Sequence, residues 1–178
     1  MKGHVLEIGD NKYTKQLGGT KVTKSDVLNV NAGNSVATIV ADLTHADEIP
    51  SNTFNCILLP QTLQFIFDIR AAMCHLERIL MPGGVLLVTL SGISQISRYD
   101  FDRWGEYWRF TTLSAQYLFE EFFPVDNLQI CSFGNVLSAT ALLYGLASRE
   151  LSDAKMDYQD PDYQVIITVR AVKLANDG

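Results

Sequence analysis

The sequence predicts an α/β fold: a doubly wound sheet of seven strands, mostly parallel, with an antiparallel last strand. Three observations carry this expectation. Five short apolar runs alternate with loop or helix-period segments as far as residue 90, the pattern of βαβ units. Those runs are apolar on both faces, as central strands of a parallel sheet are when helices cover both sides. The last third holds two more strand-like runs without a full crossover helix pattern, which suits an antiparallel edge.

The elements follow in order. Val5-Leu6-Glu7-Ile8-Gly9 reads as a first strand ending in a turn. Val22 to Ser25 reads as a second, ending at Asp26, and Val36 to Val40 as a third, followed by Asp42. Asn55 to Leu59 and Val85 to Leu90 supply the fourth and fifth. Between those two, Ile69, Met73, Leu76 and Leu80 recur at three- and four-residue steps, which predicts a helix. Pro82-Gly83-Gly84 is expected to stop it and turn the chain back. A second helix is expected from Leu113 to about Phe122, capped by Thr111 or Thr112 and finished by Pro124. Leu128 to Phe133 and Val165 to Val172 read as the closing strands, with an apolar helix over Val136 to Ser148 between them.

Composition excludes several classes. The chain has 178 residues, 47% hydrophobic and 19% charged, which suits one folded domain over residues 1–178. Its formal net charge of -6 repels phosphate backbones, and no run of Lys and Arg stands out, so nucleic acid is not expected as a partner. No run reaches the ~18–20 apolar residues that span a bilayer, and no leader peptide precedes the first strand, so no membrane association and a cytoplasmic location are expected. Cys56, Cys74 and Cys131 lie among apolar neighbours at no paired spacing and read as buried structural thiols in a reducing compartment. His4, His45 and His75 have no metal-ligand spacing, so no metal is expected.

At this point the residues resemble a known family. Val5-Leu6-Glu7-Ile8-Gly9 resembles the first motif of class I S-adenosylmethionine-dependent methyltransferases, in particular the type 11-like members. Asp26 resembles the acid after the second strand, and Ala41-Asp42-Leu43 the acid after the third. Phe54 to Leu59 resembles the fourth-strand motif. Arg78-Ile79-Leu80-Met81-Pro82-Gly83-Gly84-Val85-Leu86-Leu87 is close to the fifth-strand motif. The resemblance covers nearly the whole chain in the right order. It implies a Rossmann-like fold, S-adenosylmethionine as cofactor, and cofactor contacts from Glu7, Gly9, Asp10, Asp26, Asp42, Leu43 and Gln61. Asp26 is the ribose candidate, because a carboxylate accepts from both hydroxyls, and Asp42 the adenine candidate. Glu7 would bind backbone N–H groups of the cofactor loop or the cofactor's amino group, since a bare carboxylate inside an apolar strand is costly.

The first motif departs from the family. Gly9 is followed by Asp10, Asn11, Lys12, Tyr13 and Thr14, without the usual G-x-G run. Asp10 and Asn11 are the next best residues at positive φ, so they are expected to shape the turn. The helix that usually precedes this fold is not seen ahead of the first strand. The segment from Ser97 to Phe110 holds both tryptophans, and in this family that region borders the acceptor pocket. Tyr99, Trp104, Tyr107, Trp108 and Arg109 are the acceptor candidates there, and Asp100, Asp102 and Glu106 are alternative general bases. Aromatic planes flanked by Arg and Asp suit a hydroxylated, ring-shaped molecule such as a sugar. The sequence reads as a methyltransferase for a small-molecule or glycan hydroxyl, with a non-catalytic accessory module of glycan or polysaccharide biosynthesis as the alternative. A nicotinamide-dependent reductase is disfavoured because no G-x-G-x-x-G follows the first strand.

Overall fold

The computed structural model describes residues 1–175. Seven strands form one sheet: β1 (Gly3–Ile8), β2 (Val22–Asn29), β3 (Ile39–Val40), β4 (Phe54–Pro60), β5 (Leu80–Ser91), β6 (Leu128–Phe133) and β7 (Ile166–Val172). Their order across the sheet is β3-β2-β1-β4-β5-β7-β6. The first five strands are parallel, and β7 runs antiparallel to both neighbours, β5 and β6. The antiparallel strand is therefore not the edge, as the sequence suggested. It is inserted between β5 and β6, and β6 forms the edge.

Six α-helices accompany the sheet: α1 (Lys12–Leu17), α2 (Ile69–Ile79), α3 (Arg98–Trp104), α4 (Thr112–Glu120), α5 (Val136–Leu143) and α6 (Asp153–Met156). α2 starts where Asp68 accepts from the Ala71 amide, and α4 starts at a capping box between Thr111 and Ser114. Met73, Leu76 and Ile79 of α2 join Ala115, Leu118 and Phe119 of α4 over Leu6, Ile57, Leu59, Leu86 and Leu90 of the sheet. This is the main core, and every one of these side chains is at least nine-tenths buried. Arg70 and Glu121 join the two helices at the surface through paired 2.7 Å hydrogen bonds.

The opposite face is different. Val5, Cys56 and Leu58 form a small second cluster with Met1, Val22 and Leu87, and α1 beside it is only six residues long. The expectation of helices on both sides fails here, because too few residues separate β1 from β2 and β2 from β3 to build two full helices. Phe133, on the β6 part of this face, stays 44% exposed. Cys74 is exposed and Cys131 half-buried, so only Cys56 is the buried thiol expected.

Several boundaries also differ, and the helix expected over Val136 to Ser148 ends at Leu143. β2 continues three residues past Asp26. β3 shrinks to Ile39–Val40, because Asn31 and Asn34 fold the preceding segment into turns through their side-chain oxygens. Pro82-Gly83-Gly84 does not end α2, which stops at Ile79. It forms a bulge inside β5, where the register slips between Phe54 and Cys56 of β4. The Gly83 amide there donates to the Lys173 carbonyl just past β7, at 3.0 Å.

Candidate functional site

Parallel sheets bind ligands beyond the carboxyl ends of their strands. Here those ends open into a crevice of about 620 Å³. β1 contributes Ile8 and Gly9, β2 Leu28, Asn29 and Val30, and the turn after β3 contributes Ala41 to Thr44. β4 contributes Pro60, Gln61 and Thr62. The far wall is Phe65 to Asp68 with Asp100, Trp104 and Tyr107.

Each side chain owes its place to local structure. Gly9 takes φ +92°, which only glycine adopts without strain, and a Cβ there would meet nothing within 4 Å. The backbone is thus bare toward the crevice. Asp10 and Asn11 do not share the turn at positive φ. Asp10 instead accepts from the Lys12 amide at 2.9 Å and does not line the crevice. Glu7 is fully buried beneath the loop, accepting from the Tyr13 amide at 3.0 Å and the Thr14 amide at 2.8 Å. It fixes the start of α1, as an anion at a helix amino end should.

Asp42 stands at the end of β3. Its Oδ1 accepts from both the amide and the hydroxyl of Thr44 at 2.8 Å, Oδ2 has no hydrogen bond among the described residues, and Leu43 beside it is buried. Gln61 sits at φ +46° just past β4. Its amide donates to Thr89, and its side-chain oxygen accepts from Gln64 at 3.2 Å, so the group is held from two sides.

Asp26 corrects the sequence reading. It lies in the middle of β2, opposite Leu6, and not at the strand's end. His4 Nε2 is 2.6 Å and Lys24 Nζ 3.0 Å from its Oδ2, and the Thr38 hydroxyl donates to Oδ1 at 2.9 Å. The group therefore joins the amino-terminal half of the sheet and does not reach the crevice. Asn29 occupies the strand end in its place. Burial raises the Asp26 carboxyl, but the hydrogen bonds from His4, Lys24 and Thr38 outweigh burial and hold it below the ordinary carboxylate range. A depressed carboxyl stabilises the fold above its unfolded pKa of roughly 3.9, and that contribution is lost as pH falls through the folded value. Urea unfolding should thus find Asp26→Asn less stable than wild type by about 1–2 kcal/mol at neutral pH, and the difference should shrink as pH falls through the depressed range of the folded carboxyl.

The aromatic segment divides. Trp104 and Tyr107 line the crevice. Tyr99, Trp108 and Arg109 do not. Tyr99 is covered by the Arg103 guanidinium at 3.4 Å. Trp108 donates from Nε1 to the Ile66 carbonyl at 2.9 Å and stacks on Phe67. Arg109 pairs with Glu106 at 2.8 Å and donates to the Gln95 carbonyl. Trp108 and Arg109 fasten the wall, and Tyr99 stays exposed on α3 outside it. Among the three carboxylates offered as bases, Asp102 pairs with Arg98, Glu106 pairs with Arg109, and only Asp100 lines the crevice. Asn29 and Phe65 to Asp68 were missed as site residues. The apolar continuation Val27-Leu28 past Asp26 was the signal for the former.

The comparisons agree with this geometry. Residues 8–88 match the family model described as a methyltransferase domain. Among solved structures, the chain is similar to Haemonchus contortus phosphoethanolamine N-methyltransferase 2, solved with phosphomonomethylethanolamine and S-adenosylhomocysteine. That likeness has a TM-score of 0.63 at 14% identity and covers 98% of this chain and 50% of that one, so this chain spans half its length. A methyltransferase of Archaeoglobus fulgidus gives a TM-score of 0.63 at 12% identity, over 97% of this chain and 86% of that one. N-methyltransferase NodS of Bradyrhizobium japonicum, solved with S-adenosylhomocysteine, gives 0.56 at 15% identity, over 96% and 78%. No curated protein matches the chain. Ordered motifs, strand order and matched segment coincide: residues 8–88 match a methyltransferase domain, and the chain has the Rossmann-like fold of S-adenosylmethionine-dependent methyltransferases.

Proposed function

We propose that residues 1–178 act as one methyltransferase domain that transfers the methyl group of S-adenosylmethionine to a hydroxyl of a small-molecule or glycan acceptor. The observation that carries this is the continuity of one crevice, from Gly9, Asn29 and Asp42 at one end to Asp100, Trp104 and Tyr107 at the other. The residues fit the cofactor. The bare backbone at Gly9 admits close approach, and Leu28, Val30 and Leu43 offer an apolar slot for a flat base. Asp42 Oδ2 accepts from the adenine amine, and the Asn29 amide meets the ribose hydroxyls in place of a carboxylate. Tyr13 supports the catalytic reading over the accessory one: it lines the opposite face of the sheet and leaves the crevice open.

When bound, the cofactor supplies an already activated methyl group, so the protein's task is alignment. Trp104 and Tyr107 give the acceptor a flat apolar wall. Asp100, whose Oδ2 accepts from the Ser97 hydroxyl at 2.6 Å, takes the proton from the acceptor oxygen. Among the described residues, the crevice wall holds Asp42, Asp68 and Asp100 and no Lys or Arg, which favours an uncharged acceptor over a phosphorylated one. Free thiols at Cys56, Cys74 and Cys131 suit a reducing compartment such as the cytoplasm. Among the described residues, no helix is long and apolar enough to cross a membrane.

Labelled methyl transfer to a panel of neutral saccharides and small hydroxyl compounds tests the reading. Asp100→Asn should lower kcat about 100-fold with cofactor affinity unchanged, and Tyr107→Ala should raise the acceptor KM. Cofactor binding without transfer to any hydroxyl, or transfer to amines alone, would overturn it.

A further inference from the structure

Two apolar surfaces on this chain lack partners and complement one another. One is a groove of about 490 Å³ on the thinly covered sheet face, between Tyr13 and Leu17 of α1 and Leu58, Leu87 and Phe133 of the sheet. Among the described residues, Arg170 is the one charged side chain lining it. Lys12 and Lys15 stand on α1 beside Tyr13 and Leu17, and Lys2 follows the lining residue Met1. All three lysines are exposed, and none forms an ion pair among the described residues.

The other surface is α5 with its exit. Val136, Leu143, Tyr144 and Leu146 are 53%, 56%, 80% and 47% exposed. The first three fall on one helical stripe. The chain that follows carries Glu150, Asp153, Asp157, Asp160 and Asp162 against Arg149 and Lys155. α5 lines no part of the groove in its own chain. A groove with Arg170 in its lining and exposed lysines on the helix that bounds it, and an exposed apolar helix followed by an acid-rich segment, thus occur on the same molecule.

We propose that two copies of this chain pair about a two-fold axis, with α5 of each seated in the sheet-face groove of the other. Such an isologous interface uses both surfaces twice. Burying the leucines supplies the driving force, and the acidic segment facing Lys12, Lys15 and Arg170 sets the register. Opposed charges also explain how a chain of net charge -6 associates with itself.

Sedimentation velocity of the whole chain should show a dimer that weakens with salt. Leu17→Glu and Leu143→Glu should each weaken it at least roughly tenfold. Both sites are exposed, so circular dichroism and cofactor affinity should not change. Lys12→Glu with Lys15→Glu should also weaken the dimer, and adding Asp153→Lys with Asp157→Lys should restore it. A monomeric wild type, or a dimer indifferent to Leu17→Glu and Leu143→Glu, would overturn the proposal. So would lysine-dependent binding of the monomer to vesicles of anionic phospholipid.

Discussion

Glu7→Ala is expected to lower the stability of the domain by about 3–4 kcal/mol and to abolish cofactor binding. The carboxylate is wholly enclosed and makes two charge-assisted bonds, to the amides of Tyr13 and Thr14. Removing it strands two donors, one of them on a residue that is itself buried. Each stranded donor costs about 1–3 kcal/mol, and domains of this kind hold only about 5–15 kcal/mol in reserve. The same amides set the path of the loop from Gly9 into α1, so the crevice loses its bare backbone when they are released. Glu7→Gln keeps the shape but offers one acceptor and one donor to two donors. It should fall between, about 1–2 kcal/mol down. Urea midpoints for stability and calorimetric titration with S-adenosylhomocysteine check both effects. A variant that keeps its midpoint would show that Glu7 does not hold the loop.

Asp42→Ala should separate binding from stability. Its Oδ1 is engaged by Thr44, Oδ2 has no hydrogen bond among the described residues, and the residue lines the crevice. If Asp42 accepts from the adenine amine as proposed, its loss should weaken S-adenosylhomocysteine by about 2 kcal/mol, roughly 30-fold. The turn at Leu43 to His45 loses its cap at about 1 kcal/mol. Asp42→Asn distinguishes the two roles, since an amide oxygen still caps Thr44 while the charge is gone. Calorimetry should find the Asn variant as stable as wild type and weaker in binding. Equal affinity in all three proteins would remove Asp42 from the cofactor site.

Much of the architecture was legible because parallel strands and amphipathic helices write themselves as period and punctuation. α2 starts at Ile69 as its apolar spacing requires, and β6 matches Leu128–Phe133. Asp26 misled because an acid usually marks a turn. A strand keeps such an acid when neighbours satisfy it, and His4 and Thr38 are remote in sequence. The aromatic segment was legible as a unit but not residue by residue. Whether Trp104 or Trp108 faces the crevice depends on a bond from Trp108 to Ile66, 42 positions away. The thinly covered sheet face was invisible for a related reason: Leu58, Leu87 and Phe133 all read like core, and only missing helix length between strands shows that Phe133 stays exposed and Leu87 half-buried.

The place of β7 has a consequence for how the chain comes together over time. It is the last strand in sequence yet sits inside the sheet, bonded to β5 along Val85 to Ser91 and to β6 along Leu128 to Phe133. During synthesis, a nascent chain short of residue 166 therefore has a five-strand half and a lone β6 with no ladder between them. Both flanking edges stay open to foreign strands until the keystone arrives. Completion of the sheet waits on one of its most sequence-distant pairings, which places its slowest and most aggregation-exposed step at the end of assembly.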